Sequence, residues 1–329
     1  MSRALPTHTP PARERPSSQR GARRCNSLDG RRWLRNSISV WDDLRKTAEE
    51  LRWKHPAQFP VALVERLIES FLPDGRQTVL DPFCGSGSTL VAAVNRGKQG
   101  IGLELSADYV RIARQRLDCG SPLSERQRDS AAGEADRLTG EGERAAGVVV
   151  PVGDVPGDVP AGKQHRRGTA VIHQASASQL AALVPPASVD LCVTSPPYWN
   201  ILNQKRTADA KAIRHYGNLA GDLGLIPDYD GYLTALTAVF RDVWHTLKPG
   251  AHCCIVVMDL RKRDRFFPLH SDLASRLQTI GYRWDDLIVW NRRAEYNALR
   301  PLGYPAVFRV NKVHEFILLM QKPGRSSDR

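Results

Sequence analysis

The strongest constraint on the fold is a short apolar strand that runs directly into a glycine-rich turn and then into a helix. Residues 78–81 (TVLD) form the strand, 82–87 (PFCGSG) the turn and 88–95 the helix. A second strand, 100–104 (GIGLE), follows and ends in the acidic residue Glu104. Strands that alternate with helices in this way predict a mostly parallel α/β sheet with helices on both of its faces.

The same alternation continues along the chain after an interruption at 118–168, a segment rich in Gly, Ser and charged residues. Such a composition predicts a flexible insertion with little regular structure. The final two strands have no helix between them, so we expect an antiparallel hairpin at one edge of the sheet. Strands are predicted at 170–173, 189–193, 252–258, 285–290 and 315–320, and helices at 41–52, 61–71, 106–117, 228–247 and 268–280.

The N-terminal residues differ from the rest of the chain. Residues 1–30 are rich in Pro, Arg, Ser and Gly, and we expect a disordered basic tail there, followed by a single domain over 31–329. The formal net charge is +12, and nine arginines against two acidic residues within 1–36 supply more than half of it. This excess favours a polyanionic partner such as nucleic acid, although a merely solvated tail would have the same composition.

Several classes of protein are unlike this sequence. No apolar run approaches the ~18 residues of a membrane helix, and the Arg- and Pro-rich start lacks the apolar core of a secretory signal. The six cysteines form no CxxC pair, so we expect neither a disulfide framework nor a zinc site. These features predict a protein of the reducing cytoplasm with no membrane partner and no metal.

The glycine-rich turn has the features of a cofactor site. In open α/β sheets, ligands bind where the carboxyl ends of the strands meet, and Gly85 and Gly87 let the backbone approach a ligand closely. An acid at the end of the next strand, Glu104, can accept hydrogen bonds from both hydroxyls of a ribose. No GK[ST] follows the glycines, which excludes a phosphate-binding P-loop. The pattern predicts a cofactor that contains a nucleoside.

A second turn, TSPPYW at 194–199, also follows an apolar strand. Two prolines stiffen it and remove two backbone donors, while Ser195, the carbonyls and the aromatic rings remain available. Such a turn can hold a planar amino group through two acceptors while a ring stacks on the attached base. Accepting both amine protons directs the nitrogen lone pair at an electrophile, so the expected chemistry is mainly positioning and electrostatics.

Together the two motifs resemble the amino-group DNA methyltransferases, which modify cytosine N4 or adenine N6 with S-adenosylmethionine. DPFCGSGST at 81–89 is similar to their cofactor loop, and SPPYW to their (D/N/S)PPY catalytic motif. KHPAQFPVALVERLI at 54–68 resembles their HPA-x-x-P segment, and GIGLELSADYVRIARQRL at 100–117 their ribose-binding strand and helix. The resemblance implies a Rossmann-like class I methyltransferase fold with a mostly parallel seven-stranded sheet.

The resemblance also implies roles for individual residues. Ser195 and the Pro196 carbonyl would orient the target amine, with Pro197 stiffening the turn and Tyr198 stacking on a flipped-out base. Ser176 stands where the family often has an acid that binds the adenine. The residues implied to contact S-adenosyl-L-methionine are His55, Pro56, Asp81, Phe83, Gly85, Gly87, Thr89, Glu104 and Ser176.

The implied substrate is double-stranded DNA, and a cognate restriction endonuclease of a restriction-modification system is a candidate partner. Ser as the first residue of the PPY motif favours cytosine N4; adenine N6 is the alternative. An RNA or protein-glutamine methyltransferase and a catalytically silent nucleic-acid-binding subunit are further alternatives. Candidate DNA contacts are 199–227, the basic run Arg261–Arg265 and 291–311 with Arg292, Arg293 and Arg300, and each of these segments could equally be a solvated loop.

Overall fold

The computed structural model describes residues 25–53, 58–119, 148–150, 168–199, 221–296 and 301–324, together with the single residues 219 and 299. Several predictions therefore lie outside the described residues. They concern 1–24 of the basic tail, His55, Pro56, Arg300 and most of the segments 118–168 and 199–227.

The predicted α/β architecture is confirmed: one large, mostly parallel sheet has helices packed against it. The sheet within the described residues contains nine strands in the order β1-β10-β11-β7-β6-β2-β3-β5-β4. Its strands are β1 (Val40–Trp41), β2 (Thr78–Asp81), β3 (Gln99–Glu104), β4 (Val148–Val150), β5 (Thr169–Gln174), β6 (Val189–Thr194), β7 (Leu247–Val257), β10 (Arg283–Asn291) and β11 (His314–Gln321). A separate hairpin consists of β8 (Leu260–Lys262) and β9 (Arg265–Phe267).

The expected number of seven strands is wrong: the sheet has two further, short strands, β1 and β4. At one edge, β1 pairs in parallel with β10, so the antiparallel hairpin of β10 and β11 is not at the edge. At the other edge, β4 pairs antiparallel with β5, inside the segment that we expected to lack regular structure. Strands of two and three residues are too short to show the alternation on which a sequence prediction rests. Strand β1 is held in place by Trp41, which is only 1% exposed.

The helices occupy nearly the expected positions. The exception is the run 41–52, where Trp41 ends β1 and the helix begins only at Ala48, with Thr47 and Glu50 forming a capping box. The helices are α1 (Gly30–Asn36), α2 (Ala48–Arg52), α3 (Val61–Phe71), α4 (Ser88–Asn95), α5 (Ala107–Cys119), α6 (Leu180–Leu183), α7 (Tyr229–Thr246) and α8 (Leu269–Ile280). None of the helices in the described residues is long and apolar enough to cross a membrane.

Both faces of the sheet are covered, as the strand compositions require. Strand β6 (VDLCVT) is buried along its whole length, which is typical of a central parallel strand with helices on both sides. Its alternate residues enter different cores: Cys192 packs with α7 and α8, whereas Leu191 and Val193 pack with α3. Strands β7 and β11 divide their side chains in the same way.

The end of the predicted basic tail is ordered, which corrects the expectation of disorder up to residue 30. Asn26 donates a hydrogen bond from its amide to the Ser70 carbonyl over 3.0 Å, and Leu28 is buried. Asp29 then caps α1 by accepting from the Arg32 backbone N–H. These contacts fasten residues 26–29 beside the end of α3.

The topology brings the polar residues at the strand ends together, at the carboxyl ends of the parallel strands, which we call the carboxyl edge of the sheet. Strands β2, β3, β5, β6 and β7 are parallel neighbours, so their carboxyl ends lie together. Strand β11 is antiparallel to β7 and β10, so its first residues and the last residues of β10 reach the same edge. Asp81, Glu104, Thr194, Asn291 and His314 end or begin their strands there.

Candidate active site

A cavity of about 510 Å³ opens at this carboxyl edge, and both predicted turns line it. The glycine-rich turn contributes residues 82–86 and the proline turn residues 195–198. Glu104 and Ser176, at the ends of β3 and β5, also line the cavity. Four of the residues predicted to bind a cofactor thus share one space with those predicted to bind a substrate amine.

Glu104 is held in a fixed direction on the cavity wall. One carboxylate oxygen accepts from the Gly85 backbone N–H over 2.9 Å, and the other accepts from the Ser106 N–H over 2.8 Å. Burial raises the pKa of this carboxyl to about 7. The remaining lone pairs of its two oxygens can accept hydrogen bonds from neighbouring hydroxyls of a ligand.

Asp81 lies behind the cavity wall and connects the two turns. Its carboxylate accepts from the hydroxyls of Thr89 on α4 and Thr194 on β6, each over 2.6 Å, and from the Phe83 N–H over 3.0 Å. Burial raises its pKa to about 6, although these hydrogen bonds oppose the shift. Asp81 and Thr89 are 1% and 0% exposed, so they act on the shape of the loop rather than on the cavity surface.

The two glycines of the loop have different surroundings. Gly85 has a φ of 51° and lines the cavity, as expected. Gly87 has a φ of 81° and faces α5 instead: a Cβ there would lie 2.9 Å from the Cβ of Ala113. Gly87 therefore permits close packing of the loop against the next helix, which corrects its predicted place on the cavity surface.

Phe83 and Ser176, for which we predicted contacts with the cofactor, both line the cavity. The Ser176 hydroxyl caps a short 3₁₀-helix, Ala177–Gln179, by accepting from the Ser178 N–H. Gly221 approaches it from the other side: a Cβ on Gly221 would lie 3.2 Å from the Ser176 hydroxyl oxygen. The side chain is thus engaged within the protein as well as placed at the cavity.

The sequence analysis did not identify Arg116 of α5, which holds the glycine-rich turn in place. Its guanidinium donates to the Ser86 carbonyl over 2.7 Å and to the hydroxyls of Ser86 and Ser88. It is 7% exposed, and desolvation lowers its pKa to about 10. Nothing in the run RIARQRL distinguishes this arginine from its neighbours, because its partners are about thirty residues away.

Hydrogen bonds and ring contacts with the rest of the protein hold the proline turn in place. The Pro197 carbonyl accepts from the Tyr232 hydroxyl over 2.6 Å, so it is already occupied, while no hydrogen bond to the Pro196 carbonyl occurs among the residues described. Trp199 is 5% exposed, donates from its indole N–H to the Ile226 carbonyl and packs edge-on against Phe267. It is an anchor of the turn and not a free ring face.

Ser195 and Tyr198 belong to a chain of polar contacts. Their hydroxyl oxygens lie 3.0 Å apart, and the Tyr198 hydroxyl lies 2.8 Å from a carboxylate oxygen of Glu315. Glu315 in turn pairs with Arg292, which also pairs with Glu295 over 2.7 Å. A charged residue at the start of the otherwise apolar run EFILLM was the only signal in the sequence for this contact.

Arg292, Arg293 and the run Arg261–Arg265 are candidate DNA contacts within the described residues. Arg292 lines the cavity and pairs with two glutamates, Glu295 and Glu315. The run Arg261–Arg265 spans the hairpin β8–β9, with Arg261, Arg263 and Arg265 exposed. Lys262 places its ammonium 4.3 Å from the centre of the Trp199 ring, so the hairpin contacts the proline turn.

Comparison with known proteins identifies one family. A family model described as DNA methylase, of the N6/N4 methyltransferase type, matches residues 11–115 and 189–328. The Type II methyltransferase M.ScaI of Streptomyces caespitosus is 38% identical over 104 residues, or 30% of this chain and 32% of that protein. The DNA adenine methyltransferase YhdJ of Escherichia coli is 38% identical over 88 residues, or 26% of this chain and 29% of that protein.

Each of these alignments spans less than a third of the relative's length. Among solved structures, a Thermus thermophilus protein, provisionally named a DNA modification methylase and complexed with S-adenosyl-L-methionine, is 32% identical over 46% of this chain and 54% of that chain, with a TM-score of 0.33. A methyltransferase from Methanosarcina mazei is 15% identical over 79% of this chain and 98% of that chain, with a TM-score of 0.41.

Replacing Gly87 tests its contact with α5. Gly75 has the same φ of 81°, and a Cβ added there would have nothing within 4 Å, so it is a matched control. We expect Gly75→Ala to lower the free energy of unfolding by about 1 kcal/mol through φ alone, and Gly87→Ala by about 2–4 kcal/mol through φ and the clash with Ala113. Urea denaturation measures both, and equal losses would contradict the packing role.

Replacing Asp81 tests whether it is buried with a raised pKa. The folded carboxyl has a pKa of about 6 against 3.8 for an ordinary Asp, so the folded protein binds this proton more tightly than the unfolded chain does. Ionisation therefore reduces the stability as the pH rises through 6. Asp81→Asn cannot ionise, so relative to this variant the wild type should lose about 1–2 kcal/mol between pH 5 and pH 8.

Urea denaturation of both proteins at the two pH values measures this contribution together with a smaller change at Glu104, whose pKa the Asp81 charge helps to raise. Parallel pH dependences of the two proteins would show that Asp81 does not titrate in this range.

Proposed function

Because this chain belongs to the N6/N4 DNA methylase family, whose model matches more than half of its residues, we propose that it transfers a methyl group from S-adenosyl-L-methionine to the exocyclic N4 of cytosine in double-stranded DNA. The observation that carries the proposal is the shared cavity, which Glu104 of one motif and Ser195 of the other both line.

The cavity residues fit a cofactor that contains a nucleoside. Its volume of about 510 Å³ is within the usual range for small-molecule sites. Glu104 presents a carboxylate whose direction two backbone N–H groups fix, which suits a pair of ribose hydroxyls. S-adenosyl-L-methionine would supply an electrophilic methyl group there.

We assign the cofactor contacts to two groups of residues. Glu104 would bind the ribose, Phe83 and Gly85 would lie along the adenosine, and Ser176 would lie near the adenine. His55 and Pro56 are proposed to lie near the methionine end. The second group, Asp81, Gly87 and Thr89, would act indirectly, by holding the loop in the shape that the first group requires.

The proline turn supplies the contacts that activate the amine. Its nitrogen is a poor nucleophile while its lone pair is delocalised into the ring. The Ser195 oxygen and the Pro196 carbonyl would accept its two protons and favour a lone pair directed at the methyl carbon. Tyr198, whose ring lines the cavity, would stack on the base. This geometry requires the base to leave the duplex.

Cytosine N4 is favoured over adenine N6 because Ser opens the PPY motif. The alternative is N6-adenine methylation, which the adenine methyltransferase of Escherichia coli among the relatives keeps open. A catalytically silent nucleic-acid-binding subunit is a weaker alternative, since Gly85, Glu104 and Ser195 are all present. An RNA methyltransferase is also a weaker alternative, since the matching family model is described as DNA methylase. Relatives named Type II methyltransferases support a cognate restriction endonuclease as a candidate partner.

We propose that the hairpin β8–β9 and the segment 301–313 contact the DNA. Arg261, Arg263 and Arg265 are exposed on the hairpin, and Lys312 places its ammonium 4.6 Å from the centre of the Phe266 ring, which joins the two segments. Phe308, within the segment 301–313, is 92% exposed. Cations for phosphates together with an exposed aromatic ring are typical of proteins that distort a duplex.

Mass spectrometry of nucleosides tests the activity and the base. DNA treated with the protein and S-adenosyl-L-methionine should contain N4-methylcytosine. Ser195→Ala should lower the rate by about 10²-fold or more, because one of the two acceptors for the amine is lost. N6-methyladenine without N4-methylcytosine would overturn the choice of base, and no methylated base in any DNA would overturn the activity.

The salt dependence of DNA binding tests the hairpin. Arg263→Ala should weaken binding to all sequences and reduce the slope of log affinity against log salt by about 1, since one phosphate contact is lost. Arg283→Ala is the matched control. This exposed arginine begins β10, so it lies at the end of the strands opposite to the cavity. Equal effects of the two substitutions would contradict a DNA contact at the hairpin.

A further inference from the structure

Tyr198 lies between a hydroxyl and a buried carboxylate. Its hydroxyl is 3.0 Å from the Ser195 hydroxyl oxygen, 2.8 Å from Glu315 and 3.4 Å from the Val256 carbonyl. Glu315 is 5% exposed and is held by Arg292. Four side chains from the proline turn, β11 and the end of β10 thus form one continuous chain of polar contacts, and all four residues line the cavity.

The direction of the hydrogen bonds follows from the number of protons. Burial and the neighbouring Glu315 raise the pKa of Tyr198, so the phenol keeps its single proton. A carboxylate has no proton to donate, so the phenol must donate to Glu315, which is also its nearest acceptor. The contact with Ser195 then requires the Ser195 hydroxyl to donate to the Tyr198 oxygen. Ser195 therefore keeps its lone pairs for a ligand in the cavity.

The proline turn itself supplies no base for the reaction, and these contacts can supply one. Methylation of an amine leaves one proton to be removed, and the turn opens with Ser195 in place of an acid, so it carries no base of its own. We propose that Glu315 accepts this proton through Tyr198 and Ser195, and that the same contacts orient Ser195 as an acceptor for the amine. The inference rests on the proposed methyl transfer and adds residues that neither motif contains.

The proton transfer balances within the chain. The amine nitrogen forms its bond to the methyl carbon as the carbon–sulfur bond of the donor breaks, and it then carries one proton too many. That proton passes to the Ser195 oxygen, the Ser195 proton passes to the Tyr198 oxygen, and the phenolic proton passes to Glu315. Ser195 and Tyr198 end as they began, and Glu315 becomes a neutral acid.

One feature favours this transfer, and a second limits its cost. The amine in its protonated form is a strong acid, because losing the proton restores conjugation of the nitrogen lone pair with the ring. Arg292, which loses an anionic partner when Glu315 is neutral, keeps its pair with Glu295. Glu315 returns its proton to water after the product leaves, and the chain is then ready again.

The decisive variant is Glu315→Gln, which keeps the size of the side chain and removes its basicity. With cofactor and DNA bound beforehand, we expect the single-turnover rate to fall by about 10²-fold while the cofactor dissociation constant from calorimetry changes by less than about twofold. Glu315→Asp retains a carboxylate and should recover at least about tenfold of the loss. A Glu315→Gln rate equal to that of the wild type would overturn the proposal, as would a parallel loss of cofactor affinity.

Tyr198→Phe provides a second test, because it removes the middle of the chain. Combined with Glu315→Gln, it should slow the reaction no more than Tyr198→Phe alone, since residues of one relay act as a unit. Losses that multiply in the double variant would show that the two residues act independently and would overturn the proposal.

A measurement without turnover completes the test. In protein labelled with ¹³C at the tyrosine ζ-carbon, the Tyr198 signal is the one that Tyr198→Phe removes. Glu315→Gln should lower the pKa read from this signal, because the neighbouring negative charge is lost; an unchanged pKa would contradict the contact. If the wild type methylates neither base, the proposed function itself fails, whereas an active wild type with an equally active Glu315→Gln refutes only this inference.

Discussion

The interaction on which the site depends is the buried carboxylate of Asp81, which binds hydroxyls from two different elements. Thr89 lies in the first turn of the helix after the glycine-rich turn, and Thr194 ends the strand before the proline turn. Both donate to the same side chain, so the two turns are fastened to each other through a single residue of β2. Water does not compete for these hydrogen bonds, because Asp81 is 1% exposed. The two walls of the cavity therefore keep their relative position although more than one hundred residues separate them in the chain.

Burying carboxylates has a cost, and each acid near the cavity offsets it differently. Asp81 uses hydroxyl donors, Glu104 uses backbone N–H groups and Glu315 uses the guanidinium of Arg292. The first two arrangements leave the pKa values of Asp81 and Glu104 raised, because neutral donors compensate burial only in part. Three exposed arginines, Arg261, Arg263 and Arg265, lie on the hairpin β8–β9, and none of them lines the cavity. The positive charge of the hairpin is thus separate from the carboxylates of Glu104 and Glu315, which line the cavity.

The sequence was sufficient for the parts of the site that follow from local pattern. Strand, turn and helix at 78–95 predicted where Gly85 would lie, and the acid at the end of the next strand predicted Glu104. It was insufficient where a role depends on a distant partner: Arg116 contacts a loop about thirty residues earlier, and Tyr198 meets Glu315 across 117 positions. The two edge strands were missed because they are too short to show alternation, and Gly87 was misplaced because sequence alone does not tell a ligand from a neighbouring helix as the reason for a glycine.

The proline turn adds a different kind of constraint, since its last residue has a backbone conformation that few side chains adopt. Trp199 has a φ of 48°, which is unfavourable for a bulky residue, and packing must hold it there. The hydrogen bond from the indole N–H to the Ile226 carbonyl and the contact with Phe267 hold the residue in this conformation. Phe267 and Lys262, which also contacts the ring, belong to the basic hairpin. The hairpin therefore supports the conformation of the turn, and the two segments are joined through the ring of Trp199.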